Sequence, residues 1–538
     1  MSKVDWVVAC ALALALLGLY GANGEVLPGK DAVPNVYLTE QVLDEGRLSF
    51  SPSRTPWLFG WELSATPGQP ARLLDLKTPV GDREAASLYA EGLLVPHPPY
   101  YLARSVRWEP TRTGLSKVDS SHVEPVYVPV PGAGAGLSGA VVLAPLRLLA
   151  GPLKRHPRLL WFGTKFAASL FTAASAALVF LAARHWLAGW PAALLAVAYG
   201  AGTSAWSTAS QALWQHGPNE FYLALGVIGL VRGGRRAALL AGTAFALATV
   251  CRPTSGLFAI ASAAWLLFFE DRRAFLAFVA GGAPVALGLA AYNTYYLGSP
   301  VSFGQAAVAP IIALAKTGSS DVWSTPLLAG LAGLLVSPSR GLLVFSPWLA
   351  LGVAGGIRAF SCGAFRALRP LAMAALGVLA VQAMFFDWWG GWAFGYRPIV
   401  DLSPILAVLA VPLVGWVLAT RLRRAVVAAL VAWSVFVQVV GAIAYDVKGW
   451  NSRHVYRVAL ASGVSDFDAA DLAAALARGG RVLKEEWRDV DRPAYRHRLW
   501  SLADNEISYY VGRMGRCVRS KAEGGSDWLT SWELTPTR

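Results

Sequence analysis

The strongest constraint on this chain is its succession of long apolar runs. They lie at about 160–183, 188–207, 219–231, 237–251, 255–270, 273–296, 341–357, 371–386, 401–419 and 425–445, after a first run at Trp6–Tyr20. A helix crosses a bilayer with about 20 mostly apolar residues, and inside lipid its backbone groups must be satisfied internally. The runs therefore predict an all-α polytopic membrane protein with about eleven spans, in a range of roughly 10–13. Composition agrees: 15% of residues are charged and 55% hydrophobic, against about 25% charged in a soluble domain. That excludes intrinsic disorder. The net charge is +14, from 47 basic and 33 acidic residues. The basic residues are not gathered on a polar domain, so no nucleic-acid partner is expected. Cys10, Cys251, Cys362 and Cys517 form no CxxC or Cys/His spacing, so neither a zinc motif nor a disulfide framework is read.

Loop charges set the orientation, because Lys and Arg favour the cytoplasmic side. With the N-terminus inside, Arg184, Arg232/Arg235/Arg236, Arg272/Arg273, Arg358/Arg366/Arg369 and Arg421/Arg423/Arg424 all fall inside. This holds only if 137–151 does not cross, so that segment is expected to lie in the interface or re-enter, and 325–336 to be peripheral or re-entrant. Four regions follow: a first transmembrane helix (1–22), a long outer loop with interfacial helices (23–158), a helical core (159–445) and a small extracytoplasmic tail (446–538). A cleaved signal peptide competes with a retained anchor for Trp6–Tyr20. Lys154, Arg155 and Arg158 break the charge rule at the outer surface, as headgroup contacts or as an anion site.

This orientation gathers Asp31, His216, Arg252, Arg340, Asp387 and Arg397 at the outer edge, with Trp388-Trp-Gly-Gly-Trp-Ala-Phe-Gly-Tyr396 between the last two. Charges at a membrane edge are costly and mark function. An acid, several arginines and many aromatics there suit a lipid phosphate and a sugar, since guanidinium forks pair with phosphate. Each residue also has a plain role. Tryptophans anchor at interfaces, Arg252 snorkels, Asp31 caps a helix over 33–45, and His216 satisfies a loop carbonyl.

Two motif matches lack their context. Gly134-Ala-Gly-Leu-Ser-Gly139 fits G-x-G-x-x-G but follows Pro129-Val-Pro131 where a dinucleotide site needs a βαβ strand. Asp466-Phe-Asp468 and Asp489-Val-Asp491 are DxD pairs in a tail where Asp is frequent, so chance accounts for them. No motif demands a cofactor, and a divalent metal stays open.

The order of features resembles the polytopic GT-C glycosyltransferases, the group that includes the lipid A aminoarabinose transferases and the protein O-mannosyltransferases. The resemblance begins at Pro28-Gly-Lys-Asp31-Ala-Val-Pro-Asn35-Val-Tyr37. It continues through Ala205-Trp-Ser to Gln211-Ala-Leu-Trp-Gln-His-Gly-Pro218, Tyr292-Asn-Thr-Tyr-Tyr-Leu-Gly-Ser-Pro300, Ser337-Pro-Ser-Arg-Gly-Leu-Leu-Val-Phe-Ser-Pro347, and Trp388 to Asp401. It covers roughly residues 5–445. The chain departs from it at 57–120, which reads as an insertion carrying Asp75, Asp82, Glu84 and Glu91, each a competitor for the essential acid.

The resemblance implies a sugar donor on a polyprenyl phosphate. It also implies a glycan, lipid or protein acceptor and an active site on the periplasmic face of a bacterial inner membrane. By that likeness Asp31 is the base. Arg252, Arg340 and Arg397, backed by Lys165 and Arg158, would hold the phosphate. Trp214, His216, Asp387, Trp389, Trp392 and Tyr396 would hold sugar or acceptor. One direct displacement would invert the anomeric centre. A lipid transporter or flippase is the rival reading, and an assembly subunit without an active site is another.

Overall fold

The structure, a computed structural model, describes residues 2–27, 29–63, 72–74, 94–110 and 123–515. The competing acids Asp75, Asp82, Glu84 and Glu91 lie outside the described residues, as do Cys517 and Trp528.

Each long apolar run carries helix. Among the described residues, five helices are long and apolar enough to cross a membrane: Lys3–Gly21 (α1), Pro157–Ala183, Arg272–Leu297, Gly363–Met384 and Arg421–Ala444. Gly189–Ala201, Pro253–Phe269 and Leu327–Val336 are shorter and apolar, as is Gly134–Ala150, the segment expected at the interface. Where helices press together, glycine lets them. A Cβ on Gly281 would run into the Leu239 backbone of the neighbouring helix Arg235–Cys251, and there Thr243 Oγ1 donates to the Gly281 carbonyl at 2.8 Å. The outward residues Leu276 and Leu287 of Arg272–Leu297 are 63% and 70% exposed, which suits a lipid-facing surface. α1 is fastened at both ends, by Asp5–Arg184 at 2.7 Å and by the Tyr20 hydroxyl donating to the Gly200 carbonyl at 2.9 Å.

The all-α expectation needs correction outside the helical core, because the outer loop and the tail carry strands. Among the described residues, β1 (Gly60–Leu63) pairs antiparallel with β2 (Arg72–Leu74) and β3 (Leu94–His97). β4 (Leu102–Pro110) pairs with β5 (Val123–Pro129). In the tail β6 (Ser452–Leu460) lies between β7 (Gly463–Asp468) and β8 (Arg481–Asp489). These strands are short or highly charged, so no apolar run announced them.

The Gly134–Gly139 motif is a packing face. A Cβ on Gly134 would strike the Cys251 backbone at 2.5 Å, on Gly136 the Leu38 side chain, and on Gly139 Thr39. Leu38 and Thr39 belong to α2 (Val33–Glu45), the outer-loop helix that follows Asp31. Gly134 thus seats its helix on the end of Arg235–Cys251, and Gly136 and Gly139 seat α2 on that helix, which fixes where Asp31 stands.

Candidate functional site

Asp31 sits in a single 3-10 turn, Lys30–Ala32, before α2. Two contacts lock the turn. A Cβ on Gly29 would collide with the Trp214 ring, and Asn35 Nδ2 donates to the Leu213 carbonyl at 3.0 Å. Asp31 does not cap α2, whose N-cap is Ala32 without a side-chain bond. Its Oδ2 accepts from Arg397 Nη1 at 2.6 Å.

Arg397 opens another 3-10 turn, Arg397–Ile399, after the loop 387–396. Gly390, Gly391 and Gly395 take φ of 75°, 62° and 63° there, a left-handed conformation that L side chains resist. The guanidinium lies over the Trp214 ring at 5.0 Å, a cation–π distance, and donates to the Gly390 carbonyl. Its Nε is buried and has no hydrogen-bond partner among the described residues. Tyr100 is 44% exposed, yet its hydroxyl turns in on Asp31. Burial and then the Asp31 charge push the phenol above its usual range.

Behind this pair lies a buried polar layer. Arg252 Nη2 donates to the Pro398 carbonyl at 2.6 Å, so Arg252 holds the turn that carries Arg397. Its charge is met by Asp401, which also lies 3.1 Å from His216 Nδ1. Burial lowers the His216 pKa from its ordinary 6.5. A neutral ring that donates from Nδ1 leaves Nε2 an acceptor, and this Nε2 is buried without a partner.

In front, the tail reaches the same loop. Lys316, on the helix Gly304–Thr317, lies 2.7 Å from Asp387 and 2.9 Å from Asp491. Burial opposes its charge, but the two carboxylates raise the ammonium above its ordinary range. Trp389 donates to Asp491 at 2.9 Å and Trp392 to Asp489 at 3.0 Å.

The expected constellation is thus brought together in part. Asp31, Arg397 and Trp214 are in direct contact. His216 and Arg252 stand behind them, and Asp387, Trp389 and Trp392 belong to the Gly390–Gly391 loop. Arg340 is turned elsewhere. It is fully buried, pairs with Glu506 at 2.7 Å and donates to Asn451 and to the Trp389 and Gly391 carbonyls. With its donors taken and its surface closed, it fastens the tail to the loop.

Tyr396 is likewise buried, with its hydroxyl bonded to the Ser204 amide and Ser346. Lys165 donates to Asn23, Gln211 and the Glu25 carbonyl, so it pins the start of the outer loop. Arg158 is exposed on the first turn of Pro157–Ala183.

Sequence reasoning did not single out Lys30, Tyr100, Lys316 or Asp401, and it set Asp489 and Asp491 aside. For the last two the DxD spacing was the available signal. Among the described residues no three His, Cys, Asp or Glu side chains are grouped to hold a metal ion. No protein-family model matches the chain, and no curated protein matches its sequence.

Proposed function

We propose that the protein is a membrane glycosyltransferase that moves a sugar from a polyprenyl-phosphate donor to an acceptor on the periplasmic face of a bacterial inner membrane. The arrangement goes with eleven spans, the N-terminus inside and the tail outside. The observation that carries the reading is the pairing of Asp31 with Arg397. These residues lie 366 positions apart and meet over a tryptophan face beside a half-exposed carboxylate.

In the reaction, the acceptor oxygen attacks the anomeric carbon while the bond from that carbon to the phosphate oxygen breaks. The acceptor proton passes to Asp31, and the electron pair leaves with the polyprenyl phosphate, whose charge Arg397 meets. A phosphate that competes for Arg397 frees Asp31 Oδ2 to accept the proton. Arg252, neutralised by Asp401, positions the Arg397 turn and takes no phosphate. The displacement inverts the anomeric centre.

The test uses wild-type and Asp31→Asn protein in vesicles, with radiolabelled lipid extract as donor and delipidated envelope as acceptor. Transfer by the variant should fall at least ~100-fold while its thermal unfolding stays near wild type. Near-normal turnover removes Asp31 from the mechanism. Translocation of lipid-linked sugar without a new glycosidic bond would replace the transferase with a carrier. For the topology, a cysteine substituted at Arg235 should label only from the cytoplasmic side.

A further inference from the structure

Asp489 and Asp491 stand two residues apart where β8 ends, and each accepts the indole N–H of a different loop tryptophan. Asp489 Oδ1 also accepts the Asp491 amide at 2.9 Å, which stiffens the turn. Indole has one N–H donor, so engaging it fixes how the ring is rotated. Trp389 is 2% exposed and stacked against Lys316 and Arg496 at 5.7 and 4.7 Å. Trp392 is only partly buried. Its ring lies 5.7 Å from the Lys30 ammonium, and Lys30 directly precedes Asp31. The oriented indole therefore lies against the residue that directly precedes the carboxylate that would take the acceptor proton.

We infer that the tail belongs to the transfer site, with Asp489 a positioning residue that sets the Trp392 ring as the floor of the acceptor subsite. Asp491 holds the loop behind it through Trp389 and Lys316. The inference rests on the transferase reading for one point, that the group seated on Trp392 is a glycosyl acceptor. The surroundings suit a sugar: a partly buried indole for its C–H side, with the Asp489 carboxylate at the indole N–H and the Lys30 ammonium over the ring to meet hydroxyls.

The experiment uses the full chain, purified, with delipidated envelope as the acceptor probe and the chloroform–methanol lipid extract as the donor probe. Asp489→Leu removes the indole's partner, whereas Asp489→Asn keeps an oxygen that accepts the same N–H. In the transfer assay Asp489→Leu should raise the half-saturating envelope concentration at least tenfold and leave that of the lipid extract unchanged. Asp489→Asn should stay within twofold of wild type. A second arm measures envelope binding by thermophoresis without donor, so it decides the matter even if wild type transfers nothing. There Asp489→Leu and Trp392→Ala should each weaken binding at least tenfold. Wild-type binding by both, or a loss shared equally by the two probes, overturns the inference. Wild-type transfer no greater than that of Asp31→Asn, with the binding differences intact, overturns the enzyme reading alone.

Discussion

Two arginines hold the carbonyls of the same short loop, Trp389–Gly391, and end in different surroundings. Arg340 and its partner Glu506 are both 0% exposed, whereas the side chains of Arg397 and Asp31 are 15% and 32% exposed. In the first pair the guanidinium has its donors filled by protein, through Glu506, Asn451 and the Ser339, Trp389 and Gly391 carbonyls, while among the described residues Glu506 Oε1 has no hydrogen-bond partner. The second is partly open to solvent, and among the described residues Arg397 Nε has no hydrogen-bond partner. Identical functional groups thus serve as a fastener in one place and, in the proposed function, as the reacting pair in the other. Access makes the difference, not residue type.

The largest effect should come from breaking the fastener. Arg340→Met leaves Glu506 buried and uncompensated, which costs about 3–5 kcal/mol. Folded monomer in detergent should nearly vanish on size-exclusion chromatography. Arg340→Met with Glu506→Leu should restore much of it, because an apolar pair of similar volume is often tolerated. A double variant as poor as the single would show that the pair does more than neutralise charge.

The open pair should respond oppositely. Arg397→Lys keeps the charge but cannot serve Asp31, the Gly390 carbonyl and the Trp214 face at once. Transfer should fall on the order of 100-fold, with half-saturation by the lipid extract raised and thermal unfolding barely changed. Equal loss of fold and activity would erase the contrast.

A third buried charge sharpens the comparison because no arginine answers it. Glu40 of α2 is 2% exposed. Burial, with Asp44 and Glu45 adding repulsion, pushes its carboxyl from 4.5 to about 7. A raised acid stabilises the fold fully below pH 4.5, and that contribution is lost as pH rises through about 7. Glu40→Gln should therefore be more stable than wild type at pH 8, by about 1–3 kcal/mol, with a higher unfolding temperature there, and match it near pH 4.5. A gap that does not grow with pH would exclude Glu40 titration as its source.

The apolar runs were legible because bilayer thickness demands one long run per crossing, and each of these runs carries helix. Asp31 and Arg397 were legible for a related reason, since a charge at the end of an apolar run is conspicuous. What separates Arg397 from Arg340 was not. Both read as edge arginines, and only Glu506, 166 residues later in the chain, decides that one is sealed. Asp489 and Asp491 meet their tryptophans across 97 and 102 residues, and no local pattern carries such a pairing. The strands escaped because sequences such as Lys484-Glu-Glu-Trp487 in β8 show no alternation of buried and exposed positions.

The Arg340–Glu506 bond also bears on how the protein is made. A ribosome adding about 5–20 residues per second needs roughly 8–33 seconds to go from one partner to the other. Throughout that interval the newly inserted helices hold a guanidinium whose counterion does not yet exist. Nascent chains halted before Glu506 should remain incompletely assembled and open to membrane proteases, so synthesis through Glu506 is what fixes the Trp389–Gly391 loop in place.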